Sequence, residues 1–189
     1  VCDRKLGSGD LLGRDQNAVP AMATWYNIES EVGPDLLLDV PYAKTDAETL
    51  VWIYTRNGSD AQKWRFDDAG RLENKCCPGL ALDVSGGGTA ERTKVWTFAK
   101  NDTPAQKWKF TADGELECEL NGMVLDVIEG AAASETNCHM FSRNGTAAQK
   151  WRMVPVEEAK QVGGAFVVKP AEEEDKPAEG EKKKMFGLF

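Results

Sequence analysis

The tripeptide Gln-Lys-Trp occurs three times, at Gln62-Lys63-Trp64, Gln106-Lys107-Trp108 and Gln149-Lys150-Trp151, with the glutamines 44 and then 43 residues apart. A period of that size means one supersecondary unit used three times, each copy burying its apolar face against the other two. Other positions keep step with it. An apolar-Leu-Asp-Val run puts Asp39, Asp83 and Asp126 each 23 residues before its glutamine. One aromatic, Tyr54, Phe98 or Phe141, lies 8 residues before the glutamine, and one asparagine, Asn57, Asn101 or Asn144, lies 5 before it. Loops tolerate insertion, so spacing held in every copy marks positions that must meet in space.

Each unit reads as short strands divided by turn residues. The runs 49–54, 93–98 and 136–141 are rich in β-branched and aromatic residues. Asn57-Gly58, Asn101-Asp102 and Asn144-Gly145 then mark turns into the Gln-Lys-Trp strands, because Asn, Asp and Gly tolerate positive φ. A further strand is expected ahead of each Leu-Asp-Val step, over 24–28, 70–73 and 114–118. About four strands in each of three units predict an all-β, threefold barrel of roughly twelve strands.

With these motifs the chain resembles the ricin B-chain-like, or R-type, lectins and related carbohydrate-binding modules, β-trefoils named for their repeated Gln-x-Trp. The resemblance covers about residues 22–155, with repeats of about 22–69, 70–113 and 114–155. It implies a β-trefoil fold and non-catalytic carbohydrate binding through up to three equivalent shallow sites, with no cofactor and no metal. In the family, the Asp of the Leu-Asp-Val step and the strand aromatic contact sugar, which carries over to Asp39 with Tyr54, Asp83 with Phe98, and Asp126 with Phe141. Asn57, Asn101, Asn144 and His139 complete the candidate binding set.

The same residues have a reading from their own chemistry. Threefold repetition brings Trp64, Trp108 and Trp151 together around one axis, where each buried indole removes about 150–250 Å² from water. Gln62, Gln106 and Gln149 are then structural, satisfying backbone groups where strands splay. Strand residues i and i+2 share a face, so Tyr54 stands beside Trp52, Phe98 beside Trp96, and Phe141 beside His139. A carboxylate that accepts bonds from vicinal hydroxyls, next to a flat ring that covers apolar C–H groups, is what a pyranose needs. An Asp after a strand also braces turns through its own backbone, and strand aromatics also pack, so the structural reading stands beside the binding one.

Two departures from the family bear on that choice. Ala61, Ala105 and Ala148 stand where the family often has a sugar-contacting Asn. Trp52 and Trp96 stand where it often has a polar side chain, which only His139 supplies. Each lost hydrogen bond is expected to weaken recognition by about 0.5–1.5 kcal/mol. The paired aromatics equally suit a second function, a docking subunit of a larger assembly whose protein contacts run through Trp52, Trp96 and the residues after 155.

Composition narrows the classes. A net charge of −8 disfavours nucleic acid as a partner, since that calls for a basic face. The five cysteines, Cys2, Cys76, Cys77, Cys118 and Cys138, do not recur in register, so no repeated disulfide is implied. Cys138 takes the core position of Val51 and Val95 and is expected to be a buried thiol. His139, the only histidine, points away from Cys138 on a strand, and Gly86-Gly87-Gly88 lacks the Lys and Ser or Thr of a phosphate loop, so catalysis is not expected.

Asn57-Gly58-Ser59, Asn101-Asp102-Thr103 and Asn144-Gly145-Thr146 fit the N-glycosylation sequon, although a repeated turn calls for the same residues. The first residue is Val1 rather than Met, so removal of an upstream segment is expected, which would suit secretion or an organelle lumen. No apolar run is long enough to span a bilayer. Residues 1–21 read as an N-terminal arm and 156–189 as a low-complexity charged tail with an apolar end, Met185 to Phe189 after three lysines, suited to touching an anionic membrane surface or, the preferred reading, to docking in a partner groove.

Overall fold

A computed structural model describes residues 24–156. The arm at 1–21 and the tail from 156 on, apart from Val156 itself, lie outside the described residues. Thirteen strands follow one another. The first repeat holds β1 (Tyr26–Ser30), β2 (Leu36–Asp39), β3 (Thr49–Leu50), β4 (Trp52–Thr55) and β5 (Trp64–Phe66). The second holds β6 (Leu72–Asn74), β7 (Leu80–Val84), β8 (Val95–Ala99) and β9 (Trp108–Phe110), and the third β10 (Leu116–Cys118), β11 (Val124–Val127), β12 (Thr136–Phe141) and β13 (Trp151–Pro155). β3 and β4 are one strand broken at Val51, whose N–H leaves the ladder for the Val95 carbonyl of the next repeat at 3.1 Å. The expected four strands per unit are therefore present, and the chain is an all-β trefoil.

Strand limits differ from the sequence expectation where turns intervene. The strands placed at 24–28, 70–73 and 114–118 begin two residues later, at Tyr26, Leu72 and Leu116. Gly70 and Gly114 are the reason in the second and third repeats, because both sit at φ +79° in the tight turn instead of the strand. A Cβ on Gly114 would also stand 3.3 Å from the Trp151 carbonyl. Short 3-10 turns follow each Asp-Val pair, at Pro41–Ala43, Ser85–Gly87 and Ile128–Gly130, and precede each Gln-Lys-Trp, at Asp60–Gln62, Pro104–Gln106 and Ala147–Gln149.

The threefold relation is visible in the backbone. β2–β4, β7–β8 and β11–β12 are antiparallel hairpins in which Asp39 faces Trp52, Asp83 faces Trp96 and Asp126 faces His139. Each hairpin joins the next repeat's through Leu50 opposite Trp96, Lys94 opposite His139, and Asn137 opposite Trp52. Pairing of β1 with β13, from Tyr26 opposite Pro155 to Ser30 opposite Trp151, closes the ring. Glu29 on β1 reinforces that seam by pairing with both Arg152 and Arg56.

The core is one cluster that includes Trp64, Trp108 and Trp151 with Leu38, Leu82 and Leu125. The three indole N–H groups donate to the carbonyls of Leu38, Leu82 and Leu125 at 2.9, 3.0 and 3.0 Å, so none of the three is left unpaired in the core. The motif glutamines are fully buried. Each accepts at Oε1 from an asparagine N–H, those of Asn57, Asn101 and Asn144, at 2.8–2.9 Å. Each donates from Nε2 to the end of the preceding strand run, at the carbonyls of Thr55, Ala99 and Ser142, at 2.9–3.0 Å. Replacing Gln106 by Leu strands one backbone donor and one acceptor, so urea unfolding should show a loss of about 2–4 kcal/mol; a loss below about 0.5 kcal/mol would mean the glutamine merely fills space.

Candidate functional site

The hairpin register builds the same constellation three times. Asp39 Oδ1 accepts from Trp52 Nε1 at 2.8 Å, and Asp83 Oδ1 from Trp96 Nε1 at 2.7 Å. In the third repeat His139 Nε2 lies 3.0 Å from Asp126 Oδ1. The strand aromatic two residues on stacks against that donor ring. Centroids are 5.4 Å apart for Trp52 and Tyr54, 5.8 Å for Trp96 and Phe98, and 5.6 Å for His139 and Phe141, with planes within 17–23° of parallel. Each repeat thus brings together its Asp, a ring N–H donor and a partly exposed second ring.

The indole N–H groups of Trp52 and Trp96 are spent on the site aspartates, and the His139 imidazole occupies the same place in the third repeat. Trp52 is only 8% exposed and its one polar group is committed to Asp39, so it is not a free anchor for a protein partner. Ala61, Ala105 and Ala148 are all buried. Ala61 and Ala148 stand in the walls of the first and third sites.

The asparagines brace turns. Asn57 Oδ1 accepts from the Ser59 N–H at 2.9 Å. Asn101 and Asn144 accept from both the N–H and the hydroxyl of Thr103 and Thr146, at 2.6–2.9 Å. Their backbone N–H groups are held by the motif glutamines, so each asparagine is fixed on the rim of its site. The sequon pattern coincides with this turn geometry.

The three sites are not equivalent in shape. Asp39, Trp52, Tyr54 and Asn57 line a cavity of about 240 Å³ whose wall is completed by Tyr42. Asp126, His139, Phe141 and Asn144 line one of about 740 Å³ that reaches across the repeat boundary to Arg92 and Lys94. Tyr42 escaped the sequence reading. It is 76% exposed, sits at φ 55°, and meets Trp52 edge-on with centroids 5.4 Å apart. Its counterparts in the other 3-10 turns are Gly86 at φ 60° and Glu129 at φ 58°. A bulky residue held in the left-handed region is strained, and such strain gathers at functional sites. Laying Tyr42 over Gly86 in the repeat alignment is the signal that would have found it.

Burial pushes the Asp39 and Asp83 carboxyls above the usual range, only partly offset by their bonds to Trp52 and Trp96 and to the motif glutamines. Among the described residues the four cysteines are free thiols. Burial pushes Cys77 up to about 12 and Cys118 up to about 11, and drives Cys138 upward too, so none of these three is a thiolate at neutral pH. No set of three or more His, Cys, Asp and Glu converges to hold a metal ion among the described residues. No helix among them is long and apolar enough to cross a membrane.

The family described as Ricin-type beta-trefoil lectin domain matches residues 24–151, and the chain belongs to it. Among solved structures, the designed threefold-symmetric protein ThreeFoil is similar at 28% identity and a TM-score of 0.66, over 70% of this chain and 99% of that one. The C-half of the earthworm R-type lectin, solved in complex with GalNAc, shares the fold at 17% identity and a TM-score of 0.61, over 70% of this chain and 99% of that one. An exo-beta-1,3-galactanase from Clostridium thermocellum shares it at 23% identity and a TM-score of 0.64, but the match spans 72% of this chain and 31% of the enzyme. No curated protein matches the chain significantly by sequence.

A carboxyl raised by folding holds its proton more tightly in the native chain than in the unfolded one. Its contribution to stability is fully present below the ordinary carboxylate value and is lost as pH rises through the raised one. Asp39→Asn combined with Asp83→Asn should therefore raise the thermal midpoint at about pH 7. The gap over the parent should close as pH falls towards about 4. A double variant less stable than the parent at neutral pH would show that the two carboxylates stabilise the fold.

Proposed function

We propose that the protein is a non-catalytic carbohydrate-binding module with a sugar site in each repeat. The observation that carries the reading is the threefold recurrence of an aspartate whose Oδ1 is held by a ring donor, beside a partly exposed stacked ring. With Oδ1 held, the carboxylate is fixed in orientation and its Oδ2 accepts from two vicinal sugar hydroxyls. Tyr54, Phe98 or Phe141 covers the apolar C–H face, and Asn57, Asn101 or Asn144 presents its amide N–H₂ from the rim. Membership of a lectin-domain family supports this assignment. The raised thiols speak against nucleophilic catalysis by those groups.

Such sites are shallow and open. A single one with a dissociation constant of about 1 mM contributes roughly −4 kcal/mol, so the protein acts on glycans that engage two or three sites together. A secreted or organelle-lumenal setting goes with that substrate class.

The test is a glycan array probed with the multivalently presented chain and with a variant carrying Asp39→Asn, Asp83→Asn and Asp126→Asn. The parent should bind a subset of glycans, and the triple variant should lose at least about 10-fold in apparent affinity, as expected when several weak contacts fail together. Undiminished binding by the folded triple variant would remove these aspartates from the site. Silence from the folded parent would remove the carbohydrate reading.

A further inference from the structure

We propose that the third site is specialised for an anionic saccharide, one carrying a carboxylate or sulfate group; this rests on the carbohydrate reading above and assigns the ligand class of one of its sites. Nine residues after each site aspartate stands a residue with left-handed backbone: Glu48 at φ 65°, Arg92 at φ 66° and Glu135 at φ 71°. Each donates its N–H across the repeat boundary into the middle of the next site's aromatic strand. Glu48 reaches the Thr97 carbonyl at 2.7 Å, Arg92 that of Met140 at 2.7 Å, and Glu135 that of Ile53 at 2.8 Å. The same segment of a neighbouring repeat therefore borders every site, and at this backbone position stands a glutamate beside the first and second sites and an arginine beside the third.

The next neighbour in the same segment repeats the distinction. Opposite Trp52 stands Asn137, opposite Trp96 stands Leu50, and opposite His139 stands Lys94. Arg92 and Lys94 both line the cavity of about 740 Å³ that contains Asp126, His139 and Phe141. Among the described residues their charges have no counter-ion. Each of the other described arginines, Arg56, Arg65, Arg71, Arg143 and Arg152, pairs with a carboxylate, whereas neither Arg92 nor Lys94 has a side-chain partner among the described residues. In a chain of net charge −8, two unpaired cations facing one cleft stand out against the background.

The cleft is divided by charge. The second-repeat lip carries Arg92 and Lys94, and the third-repeat wall carries Asp126 and Glu129. A free phosphate or a polyanion meets repulsion from those carboxylates. A sugar with one anionic substituent satisfies both sides: its hydroxyls donate to Asp126, its ring lies on Phe141, and its anion reaches the guanidinium and ammonium in charge-assisted hydrogen bonds. The other two sites have Glu135 and Glu48 at the backbone position of Arg92 and so lack its cation.

The experiment isolates the third site in the full chain with Asp39→Asn and Asp83→Asn, and titrates paired glycans with and without an acidic group. Sialylated, uronic-acid and 6-sulfated members are each set against their neutral cores. Acidic members should bind about 10-fold more tightly than neutral ones at low salt, with the preference shrinking as salt is raised to about 0.5 M. Adding Arg92→Gln and Lys94→Gln should bring the ratio close to one, and the acidic members that respond identify carboxylate or sulfate as the anion. Equal or tighter binding of the neutral cores overturns this inference and leaves the carbohydrate reading intact. A silent third site in a protein whose unmodified chain binds glycans also overturns it. Silence of the unmodified chain removes both.

Discussion

A buried amide side chain does the work of a backbone at the point where each repeat would otherwise come apart. Between the aromatic strand and the Gln-Lys-Trp strand the chain must turn sharply, and a turn beside a hydrophobic core strands polar groups that cost about 1–3 kcal/mol each when unpaired. Gln62, Gln106 and Gln149 resolve this by accepting from the turn's asparagine and donating to the strand end. The tryptophan two residues on then anchors to the Leu of the Leu-Asp-Val step through its indole N–H. One tripeptide thereby ties a strand end, a turn and the preceding hairpin to the core, which is why three copies suffice to specify a closed threefold body.

The candidate site is a by-product of that geometry. The strand that anchors the tryptophan also places the aspartate opposite the ring donor, and the clamped turn fixes the rim asparagine. Holding a carboxylate there opposes folding, since burial raises Asp39 and Asp83, and Tyr42 holds a left-handed backbone beside the same site. Local cost of this kind, in the first and second repeats, is expected of a binding surface more than of a scaffold.

Much of this was legible in the sequence, and the parts that were not share a cause. The period and the interval from Asp to Gln carry the trefoil, because both are fixed by contacts that admit no insertion. Alternation along a strand puts Tyr54 beside Trp52 and Phe141 beside His139, and the stacked pairs follow it. The role of Trp52 and Trp96 was hidden because an indole reads as apolar bulk until an acceptor is placed opposite its N–H. Tyr42 was hidden because its importance lies in a backbone conformation that the repeat alignment betrays only through Gly86. The difference between the third site and the others was hidden for a topological reason: Arg92 and Lys94 belong to the second repeat, and the pairing of Lys94 with His139 and the bond from the Arg92 N–H to Met140 bring them to the third.

The most direct measurement follows the tryptophan side-chain N–H resonances by heteronuclear NMR while a neutral glycan is titrated into the labelled protein. Trp52 and Trp96 report from the proposed binding surface through their bonds to Asp39 and Asp83, whereas Trp64, Trp108 and Trp151 are sealed in the core. The signals of Trp52 and Trp96 should move and saturate with ligand while those of the core three stay in place. A bound glycan that leaves both Trp52 and Trp96 unmoved would contradict the assignment of the sites.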